Sequence, residues 1–246
     1  MSEPDVVRLD YPDASIHIRV TSDMERRYRA RSCRKEPWTV DWLQQHVQAG
    51  DVLYDVGANV GTFTLIAAIG RGARVVAFEP GYANYARLCE NLALNRCSGA
   101  VIPVPLPLND VNGLFRFLYR TIEPGQSRHK MKVRPWEFTD GSTGDRDEQT
   151  MCGVRLDDLR VQFGLPPPAH IKLDVDGAEV RVLRGALETL RHEALRSVLV
   201  EADVALWDEV RSLLTECGFA VASQVMREGA PTYAVFARRA GGAEST

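Results

Sequence analysis

The chain has 246 residues, of which 45% are hydrophobic and 26% charged, and its formal net charge is −3. This composition suits a globular domain with a full core, and the slightly acidic balance gives no general surface for a nucleic acid. No stretch approaches the roughly 20 apolar residues of a membrane span, and the N-terminus lacks the apolar core of a signal peptide. We therefore expect a single cytoplasmic domain over residues 1–246 that does not bind nucleic acid.

The N-terminal part is predicted to be an extension ahead of a core fold. Residues 6–20 alternate apolar and polar side chains, which predicts a β-hairpin within residues 1–22. An arginine-rich stretch over 23–35 then leads to a predicted helix from Thr39 to Val47. Glu36 stands just before this helix, either as an acid that favours the helix dipole or as a residue beside a ligand.

The next stretch has the form of a strand, a glycine turn and a helix. Val52–Val56 is a short apolar strand, Gly57 and Gly61 punctuate the turn, and Thr62 begins the helix. Glycines let a ligand approach the backbone, and the helix N-terminus adds N–H groups and positive potential. The turn is therefore predicted to bind a small ligand.

Two ligands compete for this turn, a dinucleotide and S-adenosylmethionine (SAM). The dinucleotide fingerprint is G-x-G-x-x-G, whereas the spacing here is Gly57-x-x-x-Gly61, with Asp55 two residues before the first glycine. The acid suits the cationic amino group of SAM. Glu79, at the end of the predicted strand from Arg74, stands where a ribose diol would be held. The combination favours SAM over a nicotinamide cofactor.

Polar residues also follow the next elements. Asn84 lies in the first turn of a predicted helix from Tyr82 to Asn95, either as a second cofactor contact or as a solvated side chain. The third strand, Ala100–Leu108, carries three prolines in alternation, which favours an irregular segment or an edge strand of the sheet over a central strand. The residues after it, Asn109–Gly113, are rich in turn formers.

Residues 120–150 break the pattern of short strands and helices. They follow a predicted strand over Gly113–Tyr119 and combine Gly, Ser, Thr and Pro with a basic first part and an acidic second part. A loop of this length in a compact domain is functional or disordered, and Trp136 and Phe138 argue for docking on the core. We predict an insertion that covers the substrate, with residues 120–138 as its mobile part.

The second half of the chain again alternates strands and helices. The predicted elements are a strand over His170–Val175, a helix over Ala178–Arg191, a strand over Ser197–Glu201, a helix over Trp207–Cys217, strands over Phe219–Val225 and Thr232–Ala237, and a flexible tail over 239–246. We therefore predict an α/β fold with a doubly wound, mostly parallel, seven-stranded sheet whose last strand is antiparallel. In such sheets ligands bind at the carboxyl ends of the strands.

Three motifs, in this order along the chain, resemble the FkbM family of SAM-dependent methyltransferases. They are D-V-G-A-N-V-G from Asp55, A-F-E-P-G-Y-A-N-Y from Ala77, and H-I-K-L-D-V-D-G-A-E-V-R-V-L-R-G from His170. The resemblance covers residues 30–237 and implies the Rossmann-like fold of class I methyltransferases. Members of the family mostly methylate hydroxyl oxygens of surface glycans or secondary metabolites.

This resemblance implies a SAM-dependent O-methyltransferase that acts on a sugar-containing acceptor. A polyketide or glycosylated secondary metabolite is the alternative acceptor, and a non-catalytic SAM-binding protein is the alternative function. The basic residues of the insertion further favour an acceptor with a phosphate or carboxylate, such as a nucleotide-linked or acidic sugar.

The resemblance also implies a set of cofactor contacts. An acid before the first core helix, here Glu36, lies beside the cofactor in FkbM-like proteins, and an acid after the third strand, here Asp110, commonly receives the adenine amino group. Pro107 and Asn109 depart from the usual string of the family at that place. The implied contacts are Glu36, Asp55, Gly57, Asn59, Gly61, Glu79, Pro80, Asn84, Asp110 and Asp174.

Methyl transfer to a hydroxyl requires that the acceptor is positioned and that its proton is removed. Asp174, at the end of the fourth core strand, is the predicted base, and Lys172 on the same side of the strand would pair with it. Alternatively, Asp174 holds the methionine end of SAM. His129 is the second candidate base, because its pKa lies near neutrality and its surroundings resemble a Gly-Ser-His string of glycan-modifying members, although a loop histidine is otherwise solvated.

One cluster of acids has the chemistry to bind a divalent cation. Asp174, Asp176 and Glu179 offer carboxylate oxygens within a short segment, but they form no defined metal motif, and Glu179 is also a normal partner of a helix dipole. No metal is therefore predicted.

Overall fold

The computed structural model describes residues 5–127, 129–135, 147–226 and 232–239, without the side chains of residues 130–135. The strands are β1 (Asp5–Arg8), β2 (His17–Val20), β3 (Val52–Val56), β4 (Arg74–Phe78), β5 (Val101–Val104), β6 (Gly113–Leu118), β7 (Lys130–Pro135), β8 (Glu148–Gly153), β9 (His170–Leu173), β10 (Ser197–Ala202), β11 (Phe219–Val225) and β12 (Thr232–Arg238). The α-helices are α1 (Ser32–Lys35), α2 (Pro37–His46), α3 (Thr62–Leu65), α4 (Tyr82–Leu94), α5 (Leu156–Phe163), α6 (Glu179–Arg184), α7 (Leu187–Arg191) and α8 (Trp207–Glu216). The described ranges also contain two π-helical turns (Glu25–Arg29, Ile66–Gly70) and a 3₁₀ turn (Val204–Leu206).

The central sheet has seven strands in the order β11-β12-β10-β9-β3-β4-β5. The pairs from β10 to β5 are parallel, whereas β12 is antiparallel to both of its neighbours. The predicted mostly parallel, seven-stranded sheet with an antiparallel last strand is therefore confirmed. None of the helices in the described ranges is long and apolar enough to cross a membrane.

Side chains of the sheet alternate between two apolar layers, because successive residues of a strand point to opposite faces. Leu53 and Val75 face the layer formed with the β1–β2 hairpin and α2–α4. Tyr54 and Val76 face the layer formed with α5–α8. Burial on both faces explains why the central strands are continuous apolar runs in the sequence.

The predicted third strand is shorter than expected. It was predicted over Ala100–Leu108, but β5 ends at Val104, and beyond it Leu108 forms only an isolated bridge with Val154. Pro105 and Pro107 have no N–H to donate, so they cannot continue the ladder. β5 is an edge strand of the sheet, as the prolines predicted.

The single helix predicted over Ala178–Arg191 is wrong, because the structure divides it into α6 and α7 around Gly185. A Cβ at Gly185 would lie 2.0 Å from the carbonyl oxygen of Asn109, so only glycine permits this close approach. The carboxylate of Asp157 then accepts backbone N–H groups of the first turn of α7, at 3.0 and 2.8 Å. A new helix therefore begins there with its own cap.

The prediction that residues 120–150 lack regular structure is also wrong for the described part. They contain β7 and the start of β8, which pair with β6 in an antiparallel sheet of order β7-β6-β8. β7 and β8 form because they pair with β6, whose Phe115 and Phe117 are buried. The polar composition of the insertion itself does not predict these two strands. Several residues singled out from the sequence lie outside the described residues: Arg128, Trp136, Phe138 and the predicted tail after Arg239.

Candidate active site

The carboxyl ends of β3, β4 and β9 open into a cleft of about 720 Å³. Parallel strands bring these ends to one edge of the sheet, which is where α/β folds bind ligands. Most of the site residues predicted from the sequence line this cleft: Glu36, Gly57, Asn59, Glu79, Pro80, Asn84, His129, Lys172 and Asp174. The fold thus brings together side chains from widely separated segments of the chain.

The glycine turn forms the floor of the cleft. Gly57 has φ +88°, a conformation that favours glycine, and a Cβ there would lie 1.8 Å from the carbonyl oxygen of Asp174. The backbone N–H groups of Gly57 and Ala58 both donate to the carbonyl of Phe78, at 3.0 Å. The turn is therefore fixed against the ends of both neighbouring strands.

Three predicted cofactor residues do not line the cleft: Asp55, Gly61 and Asp110. Asp55 is buried beneath it, and its Oδ2 accepts the hydroxyl of Thr64 at 2.6 Å. Gly61 has φ +87° and packs on α4, since a Cβ there would lie 2.4 Å from Cδ1 of Leu88. Asp55 and Gly61 thus stabilise the turn through contacts that lie outside the cleft.

Glu79 holds the side of the cleft at the end of β4. Its buried carboxylate accepts the backbone N–H groups of Asn59 and Gly81, both at 2.8 Å, and the side-chain amide of Asn84 at 3.4 Å. Burial raises the pKa of Glu79 to about 7, although these hydrogen bonds act to lower it. The carboxyl group is thereby held rigidly at the cleft, and it is partly protonated near pH 7.

Lys172 and Asp174 stand at the end of β9. The Lys172 ammonium is buried, 3.3 Å from Oδ2 of Asp174 and 3.7 Å from Oδ1 of Asp55, its neighbour across the β3–β9 pair. Burial lowers the pKa of Lys172, but the surrounding carboxylates raise it by more, so the amine is protonated. Asp174 is the more open partner, with 29% of its side chain exposed toward solvent.

A cluster of acids surrounds this lysine. Carboxylate oxygens of Glu36, Asp174 and Glu201 lie within 4.8 Å of one another. Oε1 of Glu36 binds Lys35 at 3.0 Å, whereas its buried Oε2 has no hydrogen-bond partner among the described residues. Burial and then the charge of Asp174 raise the pKa of Glu201 to about 9, so Glu201 is protonated at neutral pH. Lys172 and this proton together reduce the repulsion among the acids.

Among the described residues, Asp176 and Glu179 do not join Asp174 in a cation site. Oε1 of Glu179 accepts the backbone N–H groups of Val175 and Gly177, at 3.3 and 3.0 Å, and so caps the turn before α6. Asp176 lines the cleft, but the described acids that could share a cation include neither Asp176 nor Glu179.

The start of the insertion closes over the Glu79 side of the cleft. The carbonyl of Gln126 accepts the side-chain amides of Asn59 and Asn84, at 2.7 and 3.1 Å. The N–H of Gly125 donates to Oδ1 of Asn84 at 2.7 Å, and its carbonyl accepts Nε of Arg29 at 2.7 Å. The described part of the insertion therefore lies against the residues predicted to hold a ribose.

A second, apolar cavity of about 420 Å³ continues from the cleft. The two share Gly57, Pro80, Phe117, His129 and Val175. Its other walls are Val56, Phe78, Leu106, Pro107, Leu108 and Ala178. Together the cleft and the cavity form one groove with a polar end and an apolar end.

Some residues of the site were not predicted from the sequence: Arg29, Phe117, Gln126 and Glu201. Glu201 had a usable signal, because it ends a predicted core strand just as Glu79 and Asp174 do. Phe117 lies on a strand of alternating aromatic residues. Arg29 and Gln126 carried no local signal, because only tertiary contact brings them to the cleft.

Comparison with known proteins gives consistent matches. The family described as the methyltransferase FkbM domain matches residues 55–221, which include the glycine turn, Glu79 and Asp174. The hexuronic acid methyltransferase AglP of Haloferax volcanii is 32% identical over 193 residues, 78% of this chain and 73% of that protein. The 31-O-demethyl-FK506 methyltransferase FkbM of Streptomyces tacrolimicus is 30% identical over 221 residues, 80% of this chain and 84% of its own.

Solved structures show the same fold at low identity. Methyltransferase FkbM from Methylobacillus flagellatus aligns with a TM-score of 0.50 and 14% identity, over 76% of this chain and 43% of its own. The methyltransferase domain of METTL16 aligns with a TM-score of 0.52 and 12% identity, over 86% of this chain and 68% of its own.

Proposed function

Since the chain belongs to the FkbM methyltransferase family, we propose that it transfers a methyl group from SAM to a hydroxyl oxygen of an acceptor that contains an acidic sugar. The observation that carries this proposal is the cleft in which the glycine turn, Glu79 and Asp174 meet at the carboxyl ends of three parallel strands.

The residues of the cleft fit SAM. Gly57 lets the turn lie against the carbonyl oxygen of Asp174, so the backbone of the turn and the end of β9 form one side of the cleft. Glu79 offers carboxylate oxygens for the ribose hydroxyls, and Asn84 lies beside it. The buried and unpartnered Oε2 of Glu36 suits the ammonium of the methionine moiety. We therefore assign the ribose end to Glu79 and Asn84 and the methionine end to Gly57 and Glu36.

When bound, SAM supplies an activated methyl group on a sulfonium, which an oxygen nucleophile takes in an in-line displacement. The chain must position the hydroxyl and accept its proton. Asp174 is the group for this role, because its carboxylate is open to the cleft. Lys172 holds this carboxylate in place, so it is a positioning residue.

One fact favours an acidic acceptor. The relative from Haloferax volcanii is named for a hexuronic acid, a sugar with a carboxylate. A polyketide hydroxyl is the second candidate, because the Streptomyces tacrolimicus relative is named for 31-O-demethyl-FK506.

The proposal is tested by measuring transfer of labelled methyl groups from SAM to a matched set of acceptors. The set contains a nucleotide-linked hexuronic acid, the corresponding neutral hexose nucleotide and a macrolide with free hydroxyls. We expect methylation of the hexuronic acid at a hydroxyl, well above that of the neutral hexose. Methylation of the macrolide alone would overturn the acidic-sugar assignment, and absence of SAM binding in calorimetry would overturn the cofactor assignment.

A further inference from the structure

His129 lies where the polar and apolar ends of the groove meet. It lines both the cleft and the apolar cavity, and its ring packs against the aromatic rings of Phe117 and Tyr119, at centroid distances of 5.6 and 5.2 Å. These two rings hold the imidazole in one orientation. His129 is therefore a fixed feature of the groove wall.

The hydrogen bond of the ring decides which nitrogen carries the proton. Nδ1 of His129 accepts the backbone N–H of Arg120 at 3.3 Å. Burial, with the nearby charge of Arg29, lowers the pKa of His129, so the ring is neutral at pH 7. A neutral imidazole has one N–H, and because Nδ1 is the acceptor, the proton sits on Nε2. The free nitrogen of the ring is thus a donor.

This tautomer disagrees with the role predicted for His129 from the sequence. A general base must present a lone pair to the hydroxyl of the acceptor. Here the lone pair of the neutral ring is directed at a backbone N–H on its own segment. Asp174 also accepts a hydrogen bond, from Lys172 to its Oδ2, but a carboxylate has a second oxygen that can present a lone pair.

The cavity beside His129 has the chemistry of a nucleobase site. Its walls are aliphatic and aromatic side chains, including Phe78, Leu106 and Leu108, and it opens next to Pro80, directly after Glu79. A flat heteroaromatic ring attached to a ribose at Glu79 would enter it. Such a ring has unprotonated nitrogens that accept hydrogen bonds, and a wall without a donor would leave them unsatisfied. Asp110, the residue predicted to meet this ring, does not line the cavity.

We propose that His129 recognises the adenine ring of SAM by donating its Nε2–H to a ring nitrogen, and that it is not the base that deprotonates the acceptor. This inference rests on the proposed function, because it takes SAM as the ligand of the groove. It gives the insertion a role in cofactor binding, since His129 and the Gly125–Gln126 segment both belong to it.

The test uses calorimetric titration with S-adenosylhomocysteine and its 1-deaza, 3-deaza and 7-deaza adenine analogues, each of which replaces one ring nitrogen with C–H. On the unaltered protein we expect one of the three analogues to bind about 3- to 10-fold more weakly than the parent compound. His129→Phe keeps an aromatic ring but removes the donor, so it should bind the parent and that analogue equally. His129→Asn restores an N–H and should recover part of the discrimination.

Leu106→Ala is the matched control, because Leu106 lines the same apolar cavity without a polar atom. It should weaken all four compounds alike. Equal binding of all four compounds to the unaltered protein would overturn the inference, even if the His129 variants failed to fold. So would a His129→Phe variant that binds the parent compound normally while turnover falls about 10²-fold and its pH profile changes, as loss of a base requires. Absence of binding by the unaltered protein would instead overturn the proposed function, and this inference with it.

Discussion

The ammonium of Lys172 lies 3.3 Å from the carboxylate of Asp174, and both stand at the end of β9 where the glycine turn approaches the strand. The lysine is buried and the aspartate is open to the cleft. A buried cation therefore anchors the carboxylate that is proposed to take the proton of the acceptor.

The first prediction concerns the stability that depends on this lysine. Lys172→Met leaves Asp55 buried without its cation, so we expect the free energy of unfolding to fall by roughly 3–5 kcal/mol in urea denaturation. Arg211→Met is the control, because it removes the cation of an exposed pair with Asp208 and should cost less than about 1 kcal/mol. Equal losses in the two variants would contradict a buried anchor.

The second prediction separates the two roles weighed for Asp174. Asp174→Asn keeps the size of the side chain but removes the proton acceptor, so kcat should fall by ~10²-fold or more. Calorimetry should give nearly unchanged affinity for S-adenosylhomocysteine. A small change in kcat together with a large loss of that affinity would make Asp174 a cofactor ligand instead.

The third prediction concerns the floor of the cleft. Gly57→Ala places a Cβ 1.8 Å from the carbonyl oxygen of Asp174 in a backbone with φ +88°. Gly164→Ala meets nothing within 4 Å at φ +62°, so it measures left-handed strain alone, about 1–2 kcal/mol. We expect Gly57→Ala to unfold at clearly lower urea concentration than Gly164→Ala and to lose affinity for S-adenosylhomocysteine. Equal unfolding midpoints would show that the close approach to Asp174 does not matter.

The fourth prediction is a pH dependence of cofactor binding. Burial raises the pKa of Glu79 to about 7 from its ordinary value of 4.5, so the carboxylate becomes protonated as the pH falls below 7. A protonated carboxyl accepts the two ribose hydroxyls less well. Affinity for S-adenosylhomocysteine should therefore fall by up to about tenfold per pH unit between pH 7 and pH 5.5. Glu79→Gln should bind more weakly at pH 8 and lose this dependence, whereas parallel profiles of the two proteins would assign the titration to another group.

The framework of the site could be predicted from the sequence because it follows from sheet topology. Gly57, Glu79 and Asp174 each come directly after an apolar strand, and parallel strands place their carboxyl ends together. No knowledge of side-chain packing is needed for this step. The edge position of β5 followed in the same way from the absence of N–H groups on its prolines.

The remaining features depend on contacts between distant segments, which local patterns do not encode. The break between α6 and α7 occurs because the carbonyl of Asn109 approaches Gly185, and no helix signal in residues 178–191 reports that neighbour. Asp110 was predicted to meet adenine, but it lines neither the cleft nor the apolar cavity, whose walls include Leu106 and Leu108. Glu201 had a local signal at the end of its strand, but its place in the acid cluster depends on Glu36 and Asp174, which lie far from it in the sequence.

The last prediction concerns the contact that holds the insertion against the Glu79 side of the cleft. Arg29 donates to the carbonyl of Gly125, while Asn84 binds the N–H of the same residue. Arg29→Met should release this segment, so the amide of Gly125 exchanges its hydrogen faster and affinity for S-adenosylhomocysteine falls about 3- to 10-fold. Hydrogen–deuterium exchange of the peptide over residues 119–127 measures the first effect and calorimetry the second.

Arg26→Met is the matched control for this prediction, because Arg26 lies in the same π-helical turn but pairs with Asp5 on the surface. It should leave both the exchange and the affinity unchanged. If S-adenosylhomocysteine restores slow exchange in Arg29→Met, then ligand and arginine stabilise the same closed position of the segment, since the ligand binds that position more tightly. Unchanged protection of residues 119–127 in Arg29→Met would mean that Asn59 and Asn84 are sufficient to hold the insertion closed.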